Sequence, residues 1–394
     1  MGTSESFALP LRAALVVLLG AIALRCAGAV GERHSFSSVA ILWPNAPAVG
    51  CCALAIAGLV LLATSRRRRC PKPRAGQYAL SEKIGEGGMG IVYKGSHPLL
   101  ERPVAIKLLP SQHASRENIQ RFQREVQRTS RLTHPNTISV YDFGRTRQGL
   151  FFYAMEYVDG LDLQSLVERY GALDPARVAH ILSQLAGALS EAHRAGLLHR
   201  DVKPANVMVC ERGGMLDVVK VLDFGLSQAL DGQGAGPGDS QCLVGTPLYL
   251  SPEALTAPES LDARSDLYAL GAVGYFLLTG APPFCGNNVL EVCEQHLHGA
   301  PARPSGRIAT PIPRELEALV MSCLSKSPEQ RPASASSLQA ALAPLAVGWS
   351  QARAERWWSV KAAALPISRG NRAPSFSGAP AAAAPFVPRT ACAA

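Results

Sequence analysis

The middle of the chain carries two kinds of hydrophobic periodicity. Apolar and polar residues alternate on both sides of a glycine-rich segment in YALSEKIGEGGMGIVYKGSHPLLERPVAIKLLP, which begins at Tyr78. Such alternation predicts a strand, a turn and a second strand, followed by a third strand at Val104–Leu108. Farther along, PARVAHILSQLAGALSEAHRAG has helical spacing, and we expect this helix to bury Val178, Ile181, Leu182, Leu185 and Leu189. The pattern therefore predicts a domain with both strands and helices.

The amino-terminal part of the chain is apolar, and its apolar residues do not alternate with polar ones. No charged residue occurs between Ser35 and Ser65, and AVGCCALAIAGLVLLAT, residues 48–64, is about long enough to cross a bilayer core of ~30 Å at ~1.5 Å per residue. We therefore predict a transmembrane helix over residues 46–65. Lys and Arg beside a span favour the cytoplasmic side. The run Arg66–Arg69 therefore predicts that the rest of the chain is cytoplasmic, at the plasma or inner membrane.

Residues 1–30 hold a shorter apolar run. Ala13–Leu24 is bracketed by Arg12 and Arg25, and it is either a second transmembrane helix or the core of a signal sequence. Both alternatives leave the short loop outside and the main domain inside. The sequence thus predicts one or two transmembrane helices, followed by a basic juxtamembrane linker over residues 66–77.

The charge of the chain is divided unevenly. The formal net charge is +9, but residues 1–77 carry nine Lys and Arg against two Glu, and residues 344–394 carry six against one. The middle has 24 Lys and Arg against 27 Asp and Glu. Nucleic-acid binding needs basic residues clustered on the folded surface. The charge distribution therefore argues against a nucleic-acid partner.

The glycine-rich segment indicates a hairpin that binds phosphate. Gly85, Gly87 and Gly90 form a GxGxxG pattern, which alone is a weak signal because dinucleotide sites share it. A dinucleotide site would open a helix after the glycines, whereas IVYKG continues as a strand. Because glycine has no Cβ, the backbone N–H groups of this hairpin can approach phosphates.

A lysine in an apolar strand follows this hairpin. Lys107 lies in VAIK, and burial of a lone ammonium costs on the order of several kcal/mol, so it needs an anionic partner. The helical segment ENIQRFQREVQRTSRL has Ile119, Phe122 and Val126 on its apolar face, with Glu125 beside that face. We therefore expect an ion pair between Glu125 and Lys107.

Polar residues separate two apolar runs in GLLHRDVKPANVMV, residues 196–209. An isolated HRD triplet is most simply a solvated turn, but VKVLDFG places Asp223 seventeen residues after Asn206. We expect both side chains at the ends of neighbouring short strands. An amide and a carboxylate oxygen suit Mg²⁺, which also takes nucleotide phosphates and water as ligands.

The ordered set GxGxxGxV, VAIK, a helix Glu, HRDxKxxN, DFG and SPE, in place of the commoner APE, resembles the protein kinase family. The phrases GEGGMGIVYKG, HRDVKPANV and GTPLYLSPE are most similar to bacterial eukaryotic-type (Hanks-type) serine/threonine kinases. The resemblance covers residues 78–343. It implies an α+β, two-lobed kinase fold, with a small β-rich N-lobe and a larger helical C-lobe, preceded here by the predicted transmembrane helices.

The resemblance also implies roles for single residues. Asp201 would accept or orient the proton of the substrate hydroxyl, and Lys203 would steady the transferred phosphoryl group. Asn206 and Asp223 would bind Mg²⁺ or Mn²⁺, and Lys107 would hold the ATP phosphates. The residues implied to bind ATP are Ile84, Gly85, Gly87, Gly90, Val92, Ala105, Lys107, Met155, Glu156 and Val158.

Further residues are structural or regulatory by the same resemblance. Asp266 would brace the catalytic loop, and Glu253 would pair with Arg331. Arg200 precedes Asp201, as in kinases whose activation segment is ordered when a phosphate satisfies a buried guanidinium. In the glycine-rich stretch GQGAGPGDSQCLVGTPLYL, Ser240 is our first candidate phosphosite and Thr246 the second.

The implied function is a membrane-anchored serine/threonine kinase that transfers the ATP γ-phosphate to protein substrates and autophosphorylates its activation segment. Two alternatives use the same fold: a pseudokinase scaffold and a small-molecule phosphotransferase. The sequence also leaves open the possibility of a dimer in which one copy phosphorylates the other. For the basic, Ala- and Pro-rich residues 344–394 we expect a disordered tail, with an interfacial helix around Trp357 and Trp358 as the alternative.

Overall fold

The computed structural model describes residues 73–87, 90–109, 116–224 and 247–363. The predicted membrane segments, residues 1–30 and 46–65, lie outside these ranges, as do residues 66–72 of the linker. None of the helices within the described ranges is both long and apolar enough to span a bilayer.

Six strands form an antiparallel sheet at the beginning of the described chain. They are β1 (Arg74–Ala75), β2 (Tyr78–Gly87), β3 (Gly90–Ser96), β4 (Pro103–Leu108), β5 (Val140–Arg145) and β6 (Phe151–Glu156). Their order in the sheet is β1-β2-β3-β4-β6-β5. Side chains alternate across the sheet. On one face Val104 and Ile106 join a cluster with Phe152, and on the other Ala105 packs in a cluster with Phe122 of helix α1 (Arg116–Thr129).

The rest of the domain is mainly helical. Its helices are α2 (Leu163–Tyr170), α3 (Pro175–Arg194), α4 (Pro252–Thr256), α5 (Ala263–Thr279), α6 (Val289–His298), α7 (Arg314–Cys323), α8 (Ala335–Ala346) and α9 (Gln351–Ala363). A smaller antiparallel sheet contains β7 (Gly160–Asp162), β8 (Val207–Arg212) and β9 (Met215–Val221), in that order. The largest apolar core joins α2, α3, α5, α7 and α8 to this sheet. The predicted two-lobed α+β fold is confirmed.

Helix α3 shows how the sequence specifies local structure. Asp174 caps its amino end by accepting the backbone N–H of Ala176 at 2.9 Å, and Pro175 stands in the first turn, where a missing N–H costs no helical hydrogen bond. The five apolar side chains that we expected this helix to bury are all buried, and they join the core with α5 and α8. The helix leads directly into the polar stretch that begins at residue 196.

Two predicted structural carboxylates are confirmed. Asp266, in the first turn of α5, accepts the backbone N–H groups of His199 and Arg200, each at 2.8 Å. Glu253 accepts hydrogen bonds from Nη1 and Nη2 of Arg331 at 2.6 and 2.8 Å. The first carboxylate braces the HRD stretch, and the second ties α4 to the segment before α8.

The carboxyl-terminal boundary differs from the prediction. We expected the domain to end at residue 343 and a disordered tail to follow, but α8 continues to Ala346 and α9 extends the folded domain to Ala363. The physical reason is packing, because Trp349 is buried and Arg353 forms an ion pair with Asp174 at 2.7 Å. Residues 364–394 lie outside the described residues.

We expect Glu253→Gln to destabilise the domain in a pH-dependent way. Burial alone would raise the pKa of Glu253, but hydrogen bonds from Arg331 and Ser265 outweigh burial and lower the pKa from 4.5 to about 2. The pair therefore stabilises the fold fully above about pH 4.5, by up to about 3 kcal/mol, and this contribution is lost as the pH falls towards 2. Urea unfolding at several pH values should show the gap between wild type and variant narrowing on acidification.

Glu259→Gln is the matched control, because Glu259 is exposed and lies near Glu253 in sequence. Its free energy of unfolding should follow the wild type at every pH. An equal gap between wild type and Glu253→Gln at about pH 7 and about pH 3 would contradict the assignment.

Candidate active site

Strands β2 and β3 form the glycine-rich hairpin that the sequence predicts. In the antiparallel register Gly85 lies opposite Val92, and Gly87 lies opposite Gly90. Gly90 has a φ of +124°, and a Cβ there would lie only 2.0 Å from the carbonyl oxygen of Leu108. Position 90 therefore requires glycine because strand β4 approaches so closely.

Five apolar residues predicted to bind ATP come together beside this hairpin. Ala105, Met155 and Val158 are buried in one cluster, and Ile84 and Val92 pack against it. The cluster draws on the four neighbouring strands β2, β3, β4 and β6 and on the connector that follows β6. Apolar walls of this kind suit a planar base.

Glu156 ends β6 and begins that connector, which leads into the helical lobe. Its side chain is buried, and its carboxylate forms ion pairs with Arg212 and with Lys220, the latter at 3.0 Å. The kinase resemblance implies that Glu156 binds ATP, and no sequence motif predicts its ion pairs with Arg212 and Lys220. They join the connector to the β8–β9 hairpin.

Lys107 contacts a different carboxylate from the one predicted. Its Nζ donates a hydrogen bond to Oδ2 of Asp223 at 2.7 Å. Glu125 Oε1 instead lies 3.5 Å from Nη1 of Arg128 on the same helix, and no ion pair joins Glu125 to Lys107 in the part of the chain that the structure describes. The predicted pair is thus replaced, because Asp223 reaches the buried ammonium directly while Glu125 pairs one turn along α1.

Tyr153 completes this cluster and is buried, although no sequence motif singles it out. Its hydroxyl donates a hydrogen bond to Oδ1 of Asp223, and its ring packs against Phe122 of α1 with the ring centres 5.8 Å apart. Tyr153 precedes Met155 by two residues, so strand periodicity places both side chains on one face of β6. This two-residue spacing from Met155 is the sequence signal that could have identified Tyr153.

The cluster keeps Asp223 anionic. Burial alone would raise the pKa of Asp223, but the charge and hydrogen bond of Lys107 and the hydrogen bond from Tyr153 outweigh burial and lower this pKa. Burial and the charge of Asp223 raise the pKa of the Tyr153 phenol well above its ordinary value. At neutral pH the cluster therefore holds a carboxylate and a neutral phenol beside Lys107.

The HRD stretch forms a second cluster. Lys203 Nζ donates to both carboxylate oxygens of Asp201, at 2.9 and 2.8 Å, and Asn206 Nδ2 donates to Asp201 Oδ2 at 2.8 Å. The three predicted residues are thus in direct contact. Arg200, immediately before Asp201, has a φ of +63° and an exposed side chain, so the expectation of a buried guanidinium is wrong.

Asn206 and Asp223 are brought together by the β8–β9 hairpin. Asn206 immediately precedes β8, and its carbonyl accepts the N–H of Leu222, the neighbour of Asp223, at 2.9 Å. The amide nitrogen of Asn206 is used on Asp201, which leaves its amide oxygen as an acceptor. An amide and an anionic carboxylate are donors suited to Mg²⁺, so the residues present fit this ion. Ser240 and Thr246 lie outside the described residues.

This fold and this ordered site define a protein kinase. A family model described as the protein kinase domain matches residues 78–342, and the chain belongs to that family.

Two similar proteins are bacterial serine/threonine-protein kinases. The serine/threonine-protein kinase pkn3 of Myxococcus xanthus is 43% identical over 275 residues, which cover 69% of this chain and 50% of pkn3. PknB of Mycobacterium tuberculosis is 38% identical over 276 residues, which cover 69% of this chain and 43% of PknB. This chain therefore matches about half of the length of these relatives or less.

One solved structure of a kinase domain is also similar to this chain. The kinase domain of Mycobacterium tuberculosis PknI is 30% identical and superposes with a TM-score of 0.54, covering 70% of this chain and 99% of that domain.

Proposed function

We propose that this protein is an ATP-dependent serine/threonine kinase that transfers the γ-phosphate of ATP to serine and threonine hydroxyls of protein substrates. The observation that carries this proposal is the pair of polar clusters: Lys107 with Asp223 on one side, and Asp201 with Lys203 and Asn206 on the other. The hairpin bond between Asn206 and Leu222 joins them. The relatives support the substrate class, because they are named serine/threonine-protein kinases.

Each side chain then has a task that follows from its contacts. Lys107 is a buried cation with an apolar pocket beside it, which suits the α- and β-phosphates of a bound nucleotide. Asp223 and Asn206 would hold Mg²⁺ or Mn²⁺, which supplies charge neutralisation on the phosphates when bound. Asp201 orients the substrate hydroxyl and accepts its proton, while Lys203 beside it stabilises negative charge on the transferred group.

Two other functions for this fold are disfavoured. A pseudokinase scaffold does not need the four polar residues Lys107, Asp201, Asn206 and Asp223, yet all four are present and in mutual contact through the two clusters. A small-molecule phosphotransferase does not need the GTPLYLSPE stretch, whose Glu253 is anchored here by Arg331. Such an anchored segment suits docking of a polypeptide substrate.

The proposal includes anchoring in the cell membrane. The apolar segment at residues 46–65, followed by Arg66–Arg69, supports one transmembrane helix with the kinase domain on the cytoplasmic side. Residues 1–30 add either a second helix or a signal sequence. A dimer would allow one copy to phosphorylate the activation segment of another.

We expect Asp201→Asn to abolish transfer while leaving nucleotide binding largely intact. The asparagine keeps the size of the side chain but cannot accept the proton of the substrate hydroxyl, so turnover should fall by ~10²-fold or more. Calorimetric titration with Mg-ATP should give a dissociation constant within about threefold of the wild type.

The transfer assay uses radiolabelled ATP and a serine- and threonine-containing protein. Glu294→Gln is the control, because Glu294 is exposed on helix α6 and belongs neither to the nucleotide pocket nor to either polar cluster. Near-normal turnover by purified Asp201→Asn would contradict the proposed function.

Activation by phosphorylation at Ser240 is a separate prediction. The glycines around Ser240 make ordering of this segment costly in conformational entropy, and a phosphate could offset that cost by pairing with the exposed guanidinium of Arg200. After incubation with Mg-ATP, mass spectrometry should find phosphate on Ser240 in the wild type but not in Asp201→Asn. Ser240→Ala should lower activity on an added substrate, and fully active enzyme with unmodified Ser240 would disprove this role.

The membrane proposal is tested by fractionation and protease protection. Full-length protein should sediment with membranes and be released by detergent but not by high salt, because the span is apolar. Protease added to intact cells should leave the kinase domain uncut. Recovery of the full-length protein entirely in the soluble fraction would refute the span.

A further inference from the structure

Residues 349–363, which we call the tryptophan segment, lie beyond the part of the chain that matches the kinase family but pack on the kinase domain. Gln351 holds the turn between β8 and β9: its Nε2 donates to the carbonyl of Gly214, and its Oε1 accepts the N–H of Leu216, both at 3.2 Å. The contact is therefore made with the backbone of the hairpin that carries the site.

Asp217 on strand β9 anchors this contact. Its buried carboxylate accepts two hydrogen bonds from Arg177, at 2.8 and 2.7 Å. It accepts two more from the indole N–H groups of Trp349 and Trp358, at 2.9 and 2.8 Å. Four donors use the lone pairs that a carboxylate offers. The kinase domain and the tryptophan segment thus share one buried anion.

The backbone of the hairpin is shaped for this contact. Asp217 has a φ of +56°, in the left-handed region that is unfavourable for a non-glycine residue. The β8–β9 ladder shifts its register between Cys210 and Arg212, opposite this position. A bulge of this kind redirects a side chain. Here it turns Asp217 towards Arg177 and the tryptophans, and their hydrogen bonds offset the strain.

Aromatic rings cover the buried guanidinium of Arg177. Its central carbon lies 3.9 Å from the ring centre of Trp357, and 5.2 Å from the ring centres of Trp349 and Trp358. A cation–π attraction is stronger where the pair is shielded from water. All three rings belong to the carboxyl-terminal segment, so the burial of the Arg177–Asp217 pair depends on it.

The other side of the same hairpin holds the nucleotide site. Asn206 precedes β8 and Asp223 follows β9, so the hairpin sets the spacing of the two proposed metal ligands. Arg212 on β8 and Lys220 on β9 both form ion pairs with the buried carboxylate of Glu156. A displacement of the hairpin would therefore move the connector that lines the nucleotide pocket.

We propose that the tryptophan segment is a positioning element for the nucleotide site. It fixes the β8–β9 hairpin through Asp217, and the hairpin holds Glu156 in the connector through Arg212 and Lys220. The segment thereby raises the affinity for ATP without contacting ATP. This inference rests on the proposed function, because it assigns the connector to nucleotide binding.

The test compares the full-length chain with Trp358→Phe, which removes one hydrogen-bond donor to Asp217 but keeps a ring over Arg177. Calorimetric titration with Mg-ADP should show binding weakened by about three- to tenfold, because a hydrogen bond to a charged group is lost. The KM for ATP should rise by a similar factor while kcat changes by less than about twofold, since Asp201 is not displaced.

A double-mutant cycle with Arg212→Gln separates positioning from general stability. Arg212→Gln breaks one contact between hairpin and connector and should weaken Mg-ADP binding to a similar extent. If both changes act through one route, the double variant Trp358→Phe/Arg212→Gln should bind about as weakly as either single variant. Glu355→Gln, at an exposed position of α9, is the control and should bind like the wild type.

The outcomes are distinct. Wild-type affinity for Mg-ADP in Trp358→Phe, even with a lowered melting temperature, would show a purely structural role and overturn this inference while leaving the kinase assignment intact. Fully additive losses in the double variant would also overturn it. A wild-type protein that does not bind Mg-ADP would overturn the proposed function, and this inference with it.

Discussion

Carboxylates that are buried without losing their charge hold this domain together. Removing such a group from water costs on the order of several kcal/mol unless N–H donors replace the water. Burial alone would raise the pKa values of Asp223 and Asp266, but hydrogen bonds from Lys107 and Tyr153 in one case, and from His193 and the backbone N–H of His199 in the other, lower them. Because the donors come from distant segments, each carboxylate joins parts of the chain that are far apart in sequence.

Residues with strained backbone conformations lie in or next to the clusters that these carboxylates form. Arg200, Asp217 and Asp223 are three of the four non-glycine residues with positive φ in the described chain, and each lies within or next to one of these polar clusters. Such conformations persist only where surrounding contacts determine them. The strain at Asp223 and Arg200 turns side chains at the proposed active site, and the strain at Asp217 turns a carboxylate away from it, towards the tryptophan segment.

The β8–β9 hairpin connects these features. One surface of it carries Asn206 and leads to Asp223, and another contacts the connector through Arg212 and Lys220. Its turn is held by Gln351. A short sheet of three strands thus receives contacts from both lobes and from the carboxyl-terminal helix. Phosphoryl transfer depends mainly on alignment and charge neutralisation, so the rigidity of this hairpin bears directly on the proposed chemistry.

Local patterns in the sequence determined strands β2 to β4, the buried face of α3 and the family, and they singled out every member of the two polar clusters except Tyr153, because periodicity, caps and motif spacing act over short distances. Tertiary structure alone decided which charges meet. Lys107 has Asp223 and not Glu125 as its partner, since both carboxylates satisfy the same sequence argument and only three-dimensional distance selects between them. Likewise Arg177, Asp217 and the tryptophans read as unrelated residues along the chain, and the tail was expected to be disordered. Their burial becomes favourable only when a bulge in one strand and a helix at the end of the domain meet in space.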